Sequence, residues 1–228
     1  MKCAWCNVTK DEILTMRRGV QLWHEAIGNC TGDGSFSLDM KASWPGPLHF
    51  LDSGLAKFIL ETVGDRSLLD VGAGSGQYGA FFEQQRERRI AVPAWRGIDG
   101  ATNVEEFTRK HGPAGSLTRH ANICDETLRP KPAEWVMSLE VGEHLPASCL
   151  TSYVQLLSRC ARRGIFVSWA PPGQAGHCHV STRGERWVCE TFAQLGWEKD
   201  EALTRRAQNA STLWYLKRNT LVLVRRQR

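Results

Sequence analysis

The stretch LLDVGAGSGQYG, residues 68–79, decides the fold of this chain. Its apolar run ends at Asp70, closely spaced glycines follow, and a helical pattern begins after Gly76. A strand, a glycine turn and a helix in this order are typical of an α/β domain that binds a nucleotide-like cofactor. The stretch fits two cofactor patterns, because GSGQYG matches the dinucleotide pattern G-x-G-x-x-G and DVGAGSG matches acid-x-G-x-G-x-G.

Strand and helix patterns alternate around this stretch. The predicted strands are Ser67–Val71, Ala94–Ile98, Ser116–Asn122, Trp135–Leu139, Gly164–Ala170, Glu198–Ala202 and Thr220–Arg225. The predicted helices are Ser53–Val63 with Ser53 as its cap, Gly76–Gln85, Asn103–His111, Ser148–Cys160, Arg183–Leu195 and a polar insert at Leu203–Leu216. Strands separated by helices of this length favour a doubly wound, mostly parallel sheet with ligands at the carboxyl ends of its strands.

Length and composition favour one folded domain with a short extension. The 228 residues, with 42% hydrophobic and 23% charged side chains, are near the averages for globular chains. We predict a helical extension or lid over residues 1–50 and the main domain over residues 51–228. The chain has no run of about 18 or more apolar residues, and its first residues, MKCAWCNVTKDE, lack the apolar region of a signal peptide, so we predict a cytoplasmic protein without a membrane segment. The net charge of +5 is mild and favours solvated helix faces over an acidic partner. We expect the eight cysteines to be reduced thiols.

Asp70 distinguishes the two cofactors, whereas the second acid, Asp99, indicates only a ligand with a ribose, which both cofactors carry. Asp70 would repel the pyrophosphate of a dinucleotide, whereas it would attract the ammonium and sulfonium groups of S-adenosylmethionine. Asp99 follows Gly76 by 23 residues, at the end of the second predicted strand, where a carboxylate accepts hydrogen bonds from ribose hydroxyls. We therefore predict S-adenosylmethionine as the cofactor and S-adenosylhomocysteine as the product.

At these residues the chain resembles class I S-adenosylmethionine-dependent methyltransferases. The segments LLDVGAGSG, GID, NICD and EWVMSLEVGEHLP are similar to that family's motif series. The resemblance implies a Rossmann-like, seven-stranded α/β sheet whose last strand is antiparallel, and a methyltransferase activity. It assigns cofactor binding to Asp70, Gly72, Ala73, Gly74, Gly76, Asp99, Gly100, Asn122, Ile123, Cys124, Asp125, Leu139 and Glu140.

The segment after the fourth predicted strand carries the candidate catalytic residues. Glu140, Glu143 and His144 are titratable, and His144 is a candidate general base because an unperturbed imidazole titrates near neutral pH. Alternatively, Glu143 and His144 only close the loop against the next helix. For the acceptor, the expected contacts are Trp169, His177 and His179 after the fifth strand, and Trp44 and His49 in the extension.

A metal site is the alternative for the same segment. Glu140-x-x-Glu143-His144 resembles the ligand cluster of small-RNA 3′-terminal 2′-O-methyltransferases, whose divalent ion is completed by a distant histidine, here His177. It also resembles metal-free small-molecule methyltransferases, such as the ubiquinone-pathway O-methyltransferases. We expect a small-molecule acceptor, with no metal and no nucleic acid. The alternatives are a metal-assisted RNA 2′-O-methyltransferase and a catalytically idle partner subunit that binds the cofactor.

Overall fold

The computed structural model describes residues 50–111, 117–176 and 178–226, and these residues form one seven-stranded sheet. The strands are β1 (Ser67–Val71), β2 (Ala94–Asp99), β3 (Thr118–His120), β4 (Ala133–Leu139), β5 (Ala161–Ser168), β6 (Trp197–Lys199) and β7 (Leu221–Arg225). Their spatial order is β3-β2-β1-β4-β5-β7-β6. Strands β1 to β5 pair in parallel, and β7 runs antiparallel to both β5 and β6. The predicted seven-stranded sheet with an antiparallel last strand is confirmed.

Helices cover both faces of this sheet. They are α1 (Ser53–Val63), α2 (Gln77–Glu87), α3 (Val104–His111), α4 (Leu150–Cys160), α5 (Glu185–Ala193), α6 (Glu201–Ala210) and α7 (Trp214–Asn219). Short 3₁₀ turns at Gly142–His144 and Ala147–Cys149 connect β4 to α4. The central strands β1 and β4 are buried on both faces, and each contains consecutive apolar residues, Leu68–Leu69 and Trp135–Met137.

The core has two layers, one on each face of the sheet. One layer lies under α4 and α5 and includes the fully buried Trp197, whose indole N–H donates to the Ser158 hydroxyl at 2.9 Å. The other lies under α1, α2 and α6, where Trp135 stacks on Phe166 with ring centroids 4.8 Å apart. Trp135 and Trp197 are therefore both core residues.

The elements α1 and β1 have the predicted bounds, and most other bounds differ by one to three residues. The cap of α1 is Asp52 and not Ser53, because the buried Asp52 carboxylate accepts a hydrogen bond from Leu55 N. The same carboxylate also accepts from Thr212 N, 160 residues away. The predicted C-terminal insert is two helices, α6 and α7, joined at the segment that Asp52 binds. The sixth strand ends at Lys199, because Asp200 caps α6, which begins at Glu201.

The expectation that all cysteines are reduced is wrong. Cys124 and Cys149 form a disulfide with an S–S distance of 2.03 Å, and Cys178 is also disulfide-bonded. Among the described residues, Cys160 and Cys189 are free thiols. None of the described helices is long and apolar enough to cross a membrane. The predicted extension at residues 1–50 lies outside the described residues, apart from its last residue.

Candidate active site at the carboxyl edge of the sheet

The glycine turn between β1 and α2 curls over the end of β2. The N–H groups of Gly72 and Ala73 both donate to Ile98 O, at 2.8 and 3.0 Å. Gly72, Gly74 and Gly76 have φ values of +80°, +52° and +73°, a left-handed conformation that residues with a Cβ rarely adopt. A Cβ on Gly72 would also lie 2.3 Å from Val141. The turn therefore requires glycine, and it touches the segment that follows β4.

Asp70 is a buried carboxylate beneath this turn. It is 3% exposed, and its Oδ2 accepts a hydrogen bond from the indole N–H of Trp95 at 3.2 Å. Burial raises the pKa of Asp70 to about 8, the Trp95 hydrogen bond opposes the rise, and nearby Asp99 adds to it. A buried acid of this kind favours a cationic ligand, because a positive charge would stabilise its ionised form.

Asp99 holds the glycine turn at the end of β2. Its Oδ2 accepts from Gly74 N, and its Oδ1 accepts from Ala101 N, both at 2.8 Å. Gly100 lies between these two anchor points and is half-buried. Each oxygen of an ionised carboxylate accepts more than one hydrogen bond. Asp99 can therefore fix the turn and still accept from the hydroxyls of a ribose.

The Asn122–Asp125 segment forms a turn beside Asp99, because Ala121 N donates to Asp99 O at 2.8 Å. Within the turn, Cys124 N donates to Asn122 Oδ1 at 2.9 Å, and Ile123 is buried in the core. Hydrogen bonds from Thr127 hold the pKa of Asp125 below its usual range. Asn122 and Asp125 are exposed, so their polar groups face solvent next to Asp99. We call Asp70–Gly76, Asp99 and Asn122–Asp125 the cofactor half.

Glu140 follows β4 directly and has an unusual backbone conformation. Its φ is +53°, and its N–H donates to the Ser168 hydroxyl at 2.8 Å. The Glu140 carboxylate accepts from the Gln174 amide at 3.0 Å and from the Asn219 amide at 3.3 Å. Those two amides also bond to each other at 2.9 Å. Positive φ at a residue with a side chain costs free energy and is common at functional sites.

Glu143, His144 and His179 form a compact cluster beyond Glu140. One possible ligand atom from each side chain lies within 4.8 Å of the others. The loop that carries His179 is held by two hydrogen bonds to Glu143 O, from Val180 N at 2.8 Å and Ser181 N at 2.9 Å. The two imidazole rings are 5.0 Å apart. The segment that follows β4 and the loop that follows β5 therefore meet at this cluster.

The Glu143 carboxylate has no solvent and no hydrogen-bond partner among the described residues. Burial and the neighbouring Glu140 carboxylate raise the pKa of Glu143 well above its usual range. His179 Nδ1 lies 3.1 Å from Gln174 O, so the tautomer that donates there leaves Nε2 as an acceptor or ligand. Such a cluster can bind a proton or a divalent cation. We call Glu140, Glu143, His144, Gln174, His179 and Asn219 the acceptor half.

Of the other residues predicted to contact the acceptor, only Trp169 lies among the described residues. Trp169 is 3% exposed, its ring lies against Gly142, and its indole N–H donates to Ser181 O at 2.8 Å. It therefore packs behind the cluster as a core residue. Trp44, His49 and His177 lie outside the described residues. Leu139 ends β4 and is half-buried against the layer under α2.

For the metal alternative, the sequence pattern predicts His177 as the second histidine, whereas the described cluster contains His179. Three residues that bind the acids Asp70 and Glu140 were not predicted: Trp95, Gln174 and Asn219. Of these three residues, only Gln174 could have been predicted from the sequence, since it lies in the same Pro- and Gly-rich loop as His179. Trp95 and Asn219 are on other strands and helices, and their contacts depend on the tertiary fold.

No protein-family model matches this sequence, and no curated protein matches it. Solved structures do. The sugar N-methyltransferase KedS8 from Streptoalloteichus sp. ATCC 53650 has a TM-score of 0.63 at 14% identity, over 88% of this chain and 97% of that one. Magnesium protoporphyrin IX methyltransferase from Synechocystis PCC 6803 has a TM-score of 0.54 at 15% identity, over 77% and 81%.

A third similar structure is the methyltransferase domain of bacterial CtHen1-C, with a TM-score of 0.54 at 12% identity, over 76% of this chain and 95% of that one. The chain thus has the fold of class I S-adenosylmethionine-dependent methyltransferases, which confirms the resemblance at the level of the fold. The Synechocystis enzyme was solved with S-adenosylhomocysteine and with S-adenosylmethionine bound.

Proposed function

We propose that this protein transfers the methyl group of S-adenosylmethionine to a metabolite-sized acceptor bound at the Glu143, His144 and His179 cluster. The observation that carries the proposal is the cluster itself, three titratable side chains within 4.8 Å at the carboxyl edge of the sheet. Contact between Gly72 and the Val141 segment supports it, because this contact joins the cofactor turn to the strand end that carries the cluster.

The cofactor half would bind the methyl donor by charge and by backbone. Asp70 and the glycine turn would hold the methionine end, since a buried acid stabilises a nearby ammonium or sulfonium group. Asp99 would accept from the ribose hydroxyls, and Asn122–Asp125 would flank the adenine. The cofactor supplies the leaving group, so the protein's main tasks are to position the acceptor in line and to remove its proton.

The acceptor half would take that proton. His144 is the candidate general base, because a neutral imidazole accepts a proton from an approaching hydroxyl or amine. The buried Glu143 carboxyl group lies beside it, and the positive charge that forms on the imidazole would favour the ionised form of Glu143, which in turn stabilises that charge. Glu140, held by Gln174 and Asn219, would orient the acceptor. In-line attack then breaks the carbon–sulfonium bond and releases S-adenosylhomocysteine.

A small acceptor is supported by the space next to Asn219. A cavity of about 200 Å³ there is lined by Ser168, Trp169, Pro171, Arg218 and Asn219, among others. Two of the similar structures are named for small substrates, a sugar and a porphyrin. A cavity of this size accommodates one ring or functional group of a metabolite.

The test is a product screen with S-adenosylmethionine labelled with ¹³C at the methyl group. The protein is incubated with a metabolite extract, with total RNA and with a protein extract, and the label is located by mass spectrometry. We expect labelled small molecules, and we expect none from the Glu143→Gln variant. Label found only in RNA or only in protein would contradict the proposal.

A metal-assisted RNA 2′-O-methyltransferase is the second candidate, and the donor set of the cluster favours it. One carboxylate and two imidazoles within 4.8 Å suit a divalent ion such as Mn²⁺. Such an ion would also balance the buried Glu143 charge. A bound ion would lower the pKa of an acceptor hydroxyl. Glu143, His144 and His179 would hold the ion, whereas Glu140 is engaged by Gln174 and Asn219.

Removal of metal separates the two candidates. The RNA candidate requires label in the 3′-terminal nucleotide of RNA, and it requires activity that a strong chelator abolishes and Mn²⁺ restores. Isothermal titration of the metal-free protein with Mn²⁺ supplies a readout that does not depend on an acceptor. Activity that a chelator leaves unchanged would overturn the metal-assisted mechanism.

A further inference from the structure

The disulfide between Cys124 and Cys149 joins two segments that both belong to the active-site edge. Cys124 lies in the turn predicted to flank the adenine, and its Cα is 5.1 Å from the Cα of Cys149. Cys149 ends the 3₁₀ turn Ala147–Cys149, which starts three residues after His144. The bond therefore connects the adenine side of the cofactor half to the segment that carries Glu143 and His144.

Other contacts hold the rest of the β3–β4 connection without this bond. The Ser152 hydroxyl donates to Glu126 Oε1 at 3.1 Å, and the Arg159 guanidinium donates to Leu128 O at 2.7 Å. Both contacts anchor the connection to α4 beyond residue 125. Breaking the disulfide would leave that part docked. It would release the Cys124 side of the Asn122–Asp125 turn, which the core would then hold only through the buried Ile123 side chain, because Asn122 and Asp125 are exposed.

The two cysteine residues differ in exposure. Cys124 is half-buried, whereas Cys149 is 4% exposed and packs in the apolar layer under α4. A thiolate from solvent can therefore reach Cys124 more easily than Cys149, and Cys149 becomes the leaving thiolate. A disulfide that a reductant can reach, placed beside a ligand site, is suited to regulation.

We propose that this disulfide is a redox switch that sets the affinity for S-adenosylmethionine. A dithiol reduces the bond, both cysteines become thiols with two electrons and two protons from the reductant, and the dithiol becomes a disulfide. The freed turn must then be ordered each time the adenine binds, and that cost lowers the affinity. The proposal rests on the placement of the adenine at Asn122–Asp125 under the proposed function.

The decisive experiment compares the wild type with the C124A/C149A variant in buffer without reductant. Cys178 keeps its own disulfide in both proteins, so the variant isolates the bond in question. Titration calorimetry with S-adenosylmethionine and with adenosine should give dissociation constants about tenfold higher for the variant. The C189A variant is the matched control, because Cys189 is a half-buried free thiol on α5, and its affinities should match the wild type.

A second measurement follows the wild type during reduction. Cys124 alkylation, read by peptide mapping, should rise in step with the dissociation constant for S-adenosylmethionine. This measurement decides the question if the double variant does not fold. Equal affinity before and after reduction of Cys124 would overturn the switch and leave the bond as a structural crosslink. No binding of S-adenosylmethionine in either state would overturn the switch together with the proposed function.

Discussion

The cofactor half and the acceptor half meet at Gly72 and Val141, yet they are built in different ways. The cofactor half uses backbone N–H groups and acids at strand ends, and Asp99 binds a turn only 25 residues away. The acceptor half consists of side chains from loops and from the end of α7 that are distant in sequence, such as Glu140 and Asn219, which are 79 residues apart. A site built from local motifs can be recognised in a sequence, whereas a site collected from loops varies with the substrate.

The largest effect should come from the centre of the acceptor half. Glu143→Gln keeps the shape of the side chain and removes its ionisable group, so the cluster can no longer exchange a proton at this position and loses a carboxylate ligand for a cation. We expect methyl transfer to fall by about 10²- to 10⁴-fold and the dissociation constant of S-adenosylmethionine to change by less than about twofold. Steady-state kinetics with an acceptor from the product screen and calorimetry measure the two effects.

The matched control is Glu134→Gln, at the opposite end of β4 in an exposed ion pair with Arg162. That variant should keep both turnover and cofactor affinity, because the pair is remote from the site and exposed pairs contribute little. Normal turnover by Glu143→Gln would show that the cluster only closes the loop.

The opposite pattern is expected for Asp70→Asn, in the cofactor half. The amide still accepts the hydrogen bond from Trp95 but carries no charge for the cationic end of the cofactor. We expect the affinity for S-adenosylmethionine to fall roughly 10- to 100-fold, while turnover at saturating cofactor stays within a few-fold. Calorimetry measures the affinity, and Asp65→Asn, an exposed turn residue before β1, is the control.

The two halves also differ in how much of each could be predicted from the sequence. Local sequence patterns are sufficient to predict the bounds of β1 and α1. They also predict the glycine turn with Asp70 and Asp99, because the chain must bend where a buried strand ends. The choice between His177 and His179 depends on the path of one loop, and Asn219 reaches Glu140 only through the tertiary fold. The Cys124–Cys149 bond could not be predicted either, because eight cysteines allow many pairings.

A smaller effect, specific to the cofactor half, is the pH dependence of cofactor binding. Burial raises the pKa of Asp70 to about 8, so most of the free protein carries the neutral acid at pH 6. A bound cation favours the ionised form, so binding releases a proton and the affinity rises with pH by up to about tenfold per unit. Titrations of the wild type between pH 6.0 and 7.5 should show this rise.

Asp70→Asn supplies the control for that slope, because an amide does not titrate. Its dissociation constant should be nearly constant over the same range. Calorimetry in buffers with different ionisation enthalpies should also detect proton release by the wild type alone. A wild type without a slope would mean that Asp70 is already ionised in the free protein.

The smallest effect concerns the outer part of the acceptor half. Asn219→Ala removes one of the two amides that bind Glu140 and keeps Gln174 in place. Because Asn219 also lines the cavity of about 200 Å³, the KM for the acceptor should rise severalfold, on the order of one lost hydrogen bond, with cofactor affinity unchanged. Asn209→Ala, on the exposed side of α6, should change neither. A loss of cofactor affinity in Asn219→Ala would show that Glu140 belongs to the cofactor half, as the resemblance to class I methyltransferases implies, and the boundary between the halves would move from Val141 to Gln174.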